Sequence, residues 1–148
     1  DIPVLLELPL YLRIRLHQEM HFPPLQQTVI HTLSDEHNLE LLVQICHTTM
    51  LEAYFAPQQD VFVESVACTT MHYIKTGISQ YYPLAPYQKL NTGEDLRVMN
   101  IVKSQTWLSE AVLWLPWLHA GRLEALGHCT LIELSSSGVR ALVSKKRD

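Results

Sequence analysis

One turn of helix set among strand-like segments constrains this chain more than any other feature. Trp107-Leu108-Ser109-Glu110-Ala111-Val112-Leu113-Trp114 places a single acidic residue, Glu110, among apolar neighbours, and His119-Ala120-Gly121 follows nine residues after the glutamate. A strand-like run from Leu123 to Leu134 comes next. Backbone N–H groups at a helix start suit an anion, and a carboxylate beside them accepts hydrogen bonds from hydroxyl groups. Such a stretch suits a small β-roll that builds a pocket.

The rest of the sequence sets the scale of that roll. A chain of 148 residues is sized for one domain with one sizeable core. With 47% hydrophobic and 18% charged residues it is a globular sequence, not a disordered one. A net charge of −4 gives no electrostatic reason to expect nucleic acid or an anionic lipid surface. Cys46, Cys68 and Cys129 show no CxxC spacing and no secretory signal precedes them, so free, buried thiols in a reducing compartment are expected. No apolar run reaches the roughly 18–20 residues needed to cross a bilayer, and the piece is expected to be soluble. It begins at Asp1 and ends in Lys145-Lys146-Arg147-Asp148, and both ends read as cut from something larger.

Taken in order, Val4 to Met20 carries Leu5, Leu8, Leu12, Ile14 and Leu16 at roughly helical spacing, interrupted by Pro9. Two short helices are expected, with Pro9 in the first turn of the second, and Phe22-Pro23-Pro24 is expected to break it. Leu25 to Leu33 reads as a short linking element, and Ser34-Asp35 as the start of a helix whose face holds Leu39, Leu41, Leu42 and Ile45. From Met50 to Tyr82 the pattern is that of strands, with Met71-His72-Tyr73-Ile74 ahead of Gly77. Tyr82 to Asn91 reads as a long loop, Gly93-Glu94-Asp95 as a turn and Leu96 to Val102 as a strand. Cys129 to Leu134 returns after the Gly127 turn, and Ser135-Ser136-Ser137-Gly138 opens a last short helix.

The stretch around Glu110 resembles the phosphate-binding cassette of cyclic-nucleotide-binding domains, whose pattern runs Phe-Gly-Glu, an apolar triplet, then Arg-Thr-Ala. The register continues through Cys129, Leu131 and Leu134, which match the family's closing strand. Leu6-Glu7-Leu8-Pro9-Leu10-Tyr11-Leu12-Arg13 resembles the end of the C-linker in hyperpolarisation-activated, cyclic-nucleotide-gated and ether-à-go-go-type channels. Tyr54-Phe55-Ala56-Pro57, Asp60-Val61-Phe62-Val63-Glu64 and Met71 to Gly77 resemble the family's opening strands. Gln58-Gln59 and Ser65 stand where that family uses glycines, so wider or differently shaped turns are expected there.

The resemblance implies the ligand contacts. Trp107, Leu108, Ser109, Glu110, Ala111, His119 and Ala120 stand in the cassette. Glu110 is the family's contact to the ribose 2′-hydroxyl; its structural role would be to cap the helix or pair with Arg122. His119 occupies the position of the phosphate-clasping arginine, and Ser109 that of the glycine before the glutamate. A histidine offers at most one charge-assisted donor where an arginine offers two, a loss of about 1.5–3 kcal/mol and tenfold or more in affinity. The only cofactor implied is thus cAMP or cGMP, bound weakly. Trp107, Trp114 and Trp117 are expected as core residues, with Trp114 and Trp117 filling volume that a nucleotide occupies in relatives.

Other chemistry finds little support. His17 and His21 sit at i, i+4 as helical zinc ligands can, but no cysteine or carboxylate at a helpful spacing completes a set, and no metal site is expected. His31, His37, His47, His72 and His128 are scattered and read as surface or strand-face residues. No nucleophile elbow, Walker loop or dinucleotide fingerprint occurs, and nothing orients His119 toward Ser109 and Glu110 as in a triad. No catalytic residue and no enzyme activity are expected.

The expected fold is α+β: an eight-stranded, jelly-roll-like antiparallel β-roll with an N-terminal helical linker and a short cassette helix. Residues 1–33 would be a C-linker-like helical segment and 34–148 the cyclic-nucleotide-binding-like roll, C-terminally incomplete because the family's lid helix is absent. By resemblance, this is a cytoplasmic regulatory domain of a voltage-gated-type potassium or cation channel with a degenerate pocket. Its partners would be the rest of the channel polypeptide and, through the C-linker, three further copies in a homotetramer. It would meet a membrane only through its parent, and no nucleic acid. The alternatives are a functional cAMP or cGMP sensor, in a channel or a kinase regulatory subunit, and, remotely, a cupin-like metal enzyme.

Overall fold

The computed structural model describes residues 3–32, 39–84 and 100–145. The expected Ser34–Asp35 helix start, the Gly93-Glu94-Asp95 turn, most of the Tyr82–Asn91 loop, the beginning of the Leu96–Val102 strand, and His37 lie outside these residues. Four helices come first: α1 (Pro3–Leu6), α2 (Leu10–Leu25), α3 (Val29–Thr32) and α4 (Leu39–Thr48). Strands β1 (Met50–Phe55), β2 (Asp60–Phe62), β3 (Ala67–Cys68), β4 (Thr70–Thr76) and β5 (Ser79–Pro83) follow. After them come β6 (Asn100–Val102), β7 (Thr106–Leu108), a 3-10 helix (Glu110–Leu113), β8 (Trp117–Leu118), β9 (Gly121–Ala125), β10 (Cys129–Ser135) and α5 (Ser136–Lys145).

All strand pairs are antiparallel. One sheet runs β1-β10-β4-β7, a second β2-β9-β5-β6, and β3 pairs with β8 as a short ribbon. This is the expected α+β roll.

Alternation along the strands explains why β4 reads as a continuous apolar run. Met71 and Tyr73 point outward from the first sheet into a core shared with α4, α5 and the 3-10 helix, while Ile74 points inward against Leu131, Cys129 and Ala125. β10 divides in the same way, with Ile132 and Leu134 outward and Leu131 inward. The first sheet is therefore covered on both faces, and Met71, His72, Tyr73 and Ile74 are all buried.

The helical arm is part of that outer core. Leu25 of α2 and Ile30 of α3 pack with Leu42, Ile45 and Cys46 of α4. Pro23 and Pro24 do not break α2, which continues through both to Leu25. A proline lacks only its own N–H and crowds the carbonyl four residues back, a defect that the last turn absorbs. The helix's own end bond, Gln26 N–H to the Phe22 carbonyl, and one tertiary contact, the Trp107 indole N–H donating to the Pro24 carbonyl at 2.9 Å, hold that turn.

The turns also differ from expectation. Gln58 (φ 65), Ser65 (φ 63) and Ser109 (φ 65) adopt the left-handed conformation that glycine favours, so these turns keep their shape without glycine. Distant backbone explains it for two of them. Gln58 N–H donates to Ala125 at 2.8 Å and Ser65 N–H to His119 at 2.9 Å, while the Gln59 side-chain oxygen accepts from Ala56 N–H. At the far end, Ser135 caps α5 by accepting from Gly138 N–H at 3.2 Å. No helix among the described residues is long and apolar enough to cross a membrane.

Candidate functional site

The site is built from the segment that follows β7. Pairing of β7 with β4 sets Leu108 opposite His72 and Trp107 opposite Tyr73. Leu108 thereby packs into the roll interior, and Trp107 turns outward onto Tyr73, with ring centroids 5.0 Å apart. Ser109 reverses the chain in the left-handed region, and the 3-10 helix begins at Glu110. Val112 and Leu113 anchor that helix in the outer core, and the Arg140 guanidinium donates to the Val112 carbonyl at 3.1 Å.

The chain then crosses the rim as β8 and delivers His119. Its backbone is clamped to the β2–β3 turn, since Ser65 N–H donates to His119 and His119 N–H donates to Val66 at 3.0 Å. Its ring is buried and stacks on Phe62, with centroids 4.0 Å apart and planes within 8°. Phe62 and His119 are shared by two adjoining cavities, of about 320 and 370 Å³. The smaller is lined by Leu108, Ser109, Glu110, Ala111, His119 and Ala120, together with Phe62, Tyr81, Asn100, Val102 and Trp117. The larger runs along β2, β3 and β4 past His72.

Six of the seven residues expected in the cassette thus share one cavity; Trp107 faces the helical core instead. Glu110 and His119 are on common ground, but Glu110 neither pairs with Arg122 nor forms any other ion pair among the described residues. Arg122 is held by Asp60 at 3.6 Å and Glu124 at 3.1 Å, with its guanidinium 4.6 Å from the Tyr82 ring centre. Trp114 and Trp117 are not core residues. They are 55% and 36% exposed: Trp114 ends the 3-10 helix, and Trp117 lies in β8, which pairs only with short β3. Trp117 does line the smaller cavity, and Trp114 does not.

Electrostatics set the chemistry of the pocket. Burial lowers the His119 pKa, and burial followed by the neighbouring His119 lowers that of His72 to about 4. Both imidazoles are therefore neutral near pH 7. His72 Nε2 lies 3.7 Å from a Glu133 oxygen, too far for a hydrogen bond, and a neutral imidazole makes no ion pair there. Its Nδ1 is buried without a partner. No Lys or Arg is among the described residues lining either cavity.

Sequence reading missed Phe62, Tyr81, Asn100, Val102 and His72 as walls. Their only local signal was strand alternation, which says which face a residue takes but not which faces meet. Elsewhere, His17 from α2 and His47 from α4 meet with Nδ1 atoms 3.0 Å apart, and His21 Nδ1 donates to the Cys46 carbonyl. The described residues hold no cluster of three or more metal-ligating side chains.

The fold is that of a cyclic-nucleotide-binding-type domain. No protein-family model matches the chain, and no curated protein matches it in sequence. In structure it is similar to the N-terminal domain of a transcriptional regulator from Streptomyces coelicolor A3(2), with TM-score 0.61 at 18% identity over 84% of this chain and 81% of that one. It is similar to the C-linker/CNBHD of zELK channels, with TM-score 0.66 at 16% identity over 97% of this chain and 74% of that one. The C-linker/CNBHD of zELK channels crystallised in the presence of cAMP gives TM-score 0.67 at 15% identity, covering 99% and 68%. At these identities the likeness is one of fold.

Proposed function

We propose that this chain is a cytoplasmic regulatory domain of a voltage-gated-type potassium or cation channel, with a degenerate pocket that binds cyclic nucleotide weakly or not at all. One observation carries the reading. Glu110 and the residue at the phosphate-clasping position, His119, line one cavity, but the clasp is an uncharged imidazole stacked on Phe62. A cyclic phosphate entering there would lose its water without gaining a cation. The channel assignment is supported by the fold likeness to a C-linker/CNBHD, which takes in nearly the whole chain, helical arm included. On this reading residues 1–33 are the linker, the rest of the channel polypeptide is the partner, and assembly is a homotetramer through that linker. Regulation then acts by shifting the balance between two states of the linker, to the extent that the roll favours one of them.

The second reading, a working cAMP or cGMP sensor, draws on the transcriptional-regulator likeness, which shares the roll without arguing for a channel. Calorimetric titration with both nucleotides separates the two. Binding no tighter than about millimolar is expected, and a dissociation constant near 1 μM would overturn the degenerate pocket. Restoring the cation in His119→Arg is expected to tighten cAMP binding by about tenfold or more.

A further inference from the structure

The cavity beside the 3-10 helix has lost its cation but kept its anion. Glu110 is half-buried, lines the cavity, and has neither a hydrogen bond nor an ion pair with any described residue. Arg122, the cation next to this segment in sequence, is spent on Asp60 and Glu124. Three aromatic rings contribute to the wall: Phe62, with one face on His119, Tyr81, edge-on to Phe62 with centroids 6.4 Å apart, and Trp117. A carboxylate lining a cavity with aromatic rings is an arrangement that recognises organic ammonium ions. The carboxylate supplies a charge-assisted hydrogen bond, and the rings supply cation–π attraction and apolar contact. An anion would be repelled there, and a neutral ring would desolvate the carboxylate without giving it a donor.

We infer that the cavity walled by Phe62, Tyr81, Trp117 and Glu110 binds a small organic cation, a primary ammonium carried on a flat apolar ring. A volume of about 320 Å³ suits a one- or two-ring body. This assignment rests on the proposed reading that the pocket has given up its anionic ligand.

Three compounds with one ring system and three charges test it by calorimetry on the 148-residue protein. Tryptamine is expected to bind about tenfold more tightly than its alcohol, tryptophol, and indole-3-acetate not at all. Glu110→Gln should bring tryptamine down to the level of tryptophol while leaving the melting temperature where it was, because the carboxylate has no protein partner to lose. Equal binding of all three compounds, or a preference for tryptamine that survives in Glu110→Gln, overturns the inference. Titration with cAMP alongside keeps the two readings apart. Silence from both tryptamine and cAMP overturns the cation site alone, whereas tight cAMP binding overturns the cation site and the degenerate pocket together.

Discussion

His72 sits inside the roll, 5% exposed, with one ring nitrogen unpartnered. Its folded pKa of about 4 lies below the roughly 6.5 of a free imidazole, so the unfolded chain takes up a proton first as the pH falls. The stability tied to a neutral His72 is therefore complete above about pH 6.5 and is lost progressively down to about pH 4. His119 and His21, also lowered by burial, act with the same sign. Glu133, raised by burial, acts with the opposite sign. Urea unfolding at pH 7 and pH 4.5 should show a fall in stability, of which about 2–3 kcal/mol disappears in His72→Leu. An undiminished fall in the variant would show that His72 is not its source. Ser109 makes a different residue-level point. It holds φ 65 with no capping hydrogen bond from its side chain, so Ser109→Gly should stabilise the protein by about 1 kcal/mol, read as a rise of a few degrees in Tm. That Ser109 stands at a glycine's place was legible from the motif. That it keeps a glycine's backbone was not, because what fills a left-handed position depends on the structure around it.

Among the elements, α2 and β7 are joined by a side-chain hydrogen bond within the core they share. The Trp107 indole donates to the carbonyl of Pro24 at 2.9 Å, beside Gln27 N–H at 3.1 Å. Trp107→Phe keeps most of the ring and removes one of the two donors to that carbonyl, at a cost of about 0.5–1.5 kcal/mol. Hydrogen exchange should rise first in the last turn of α2, and a uniform rise across the roll would refute the link. Gly121 sets a limit of another kind in β9. A Cβ placed there would lie 2.4 Å from the Tyr82 carbonyl oxygen, inside the β5–β9 ladder. Gly121→Ala should cost roughly 1–3 kcal/mol through displaced backbone, measured by chemical denaturation. Local rules read the strands and the closing helix well because alternation and a capping serine are short-range signals. They misjudged Pro23-Pro24 and the rim tryptophans, where the outcome depends on what packs above them.

At the scale of the molecule, helical arm and roll share one buried cluster, from Leu25 and Ile30 through Leu42 and Ile45 to Met71, Ile132 and Leu134. Such continuity predicts one cooperative unfolding transition, with tryptophan fluorescence and far-ultraviolet circular dichroism superimposing. Leu25→Ala, which empties a fully buried site, should lower stability by about 2–5 kcal/mol in both signals alike. Two separated transitions would mean that the arm folds independently of the roll.

The order of residues by itself determined the roll: strand alternation, the helical turn at Glu110 and the apolar run of β4 are each written within a few neighbouring positions. Periodicity is a local property, and it decides which face of an element is apolar. Only the tertiary structure decided that Phe62 would stack on His119, that Arg122 would be drawn off to Asp60 and Glu124, and that Glu110 would line a cavity with no ion pair among the described residues. These pairings join residues up to tens of positions apart, and they arise because closing the sheets brings together faces whose choice of partner no single segment encodes.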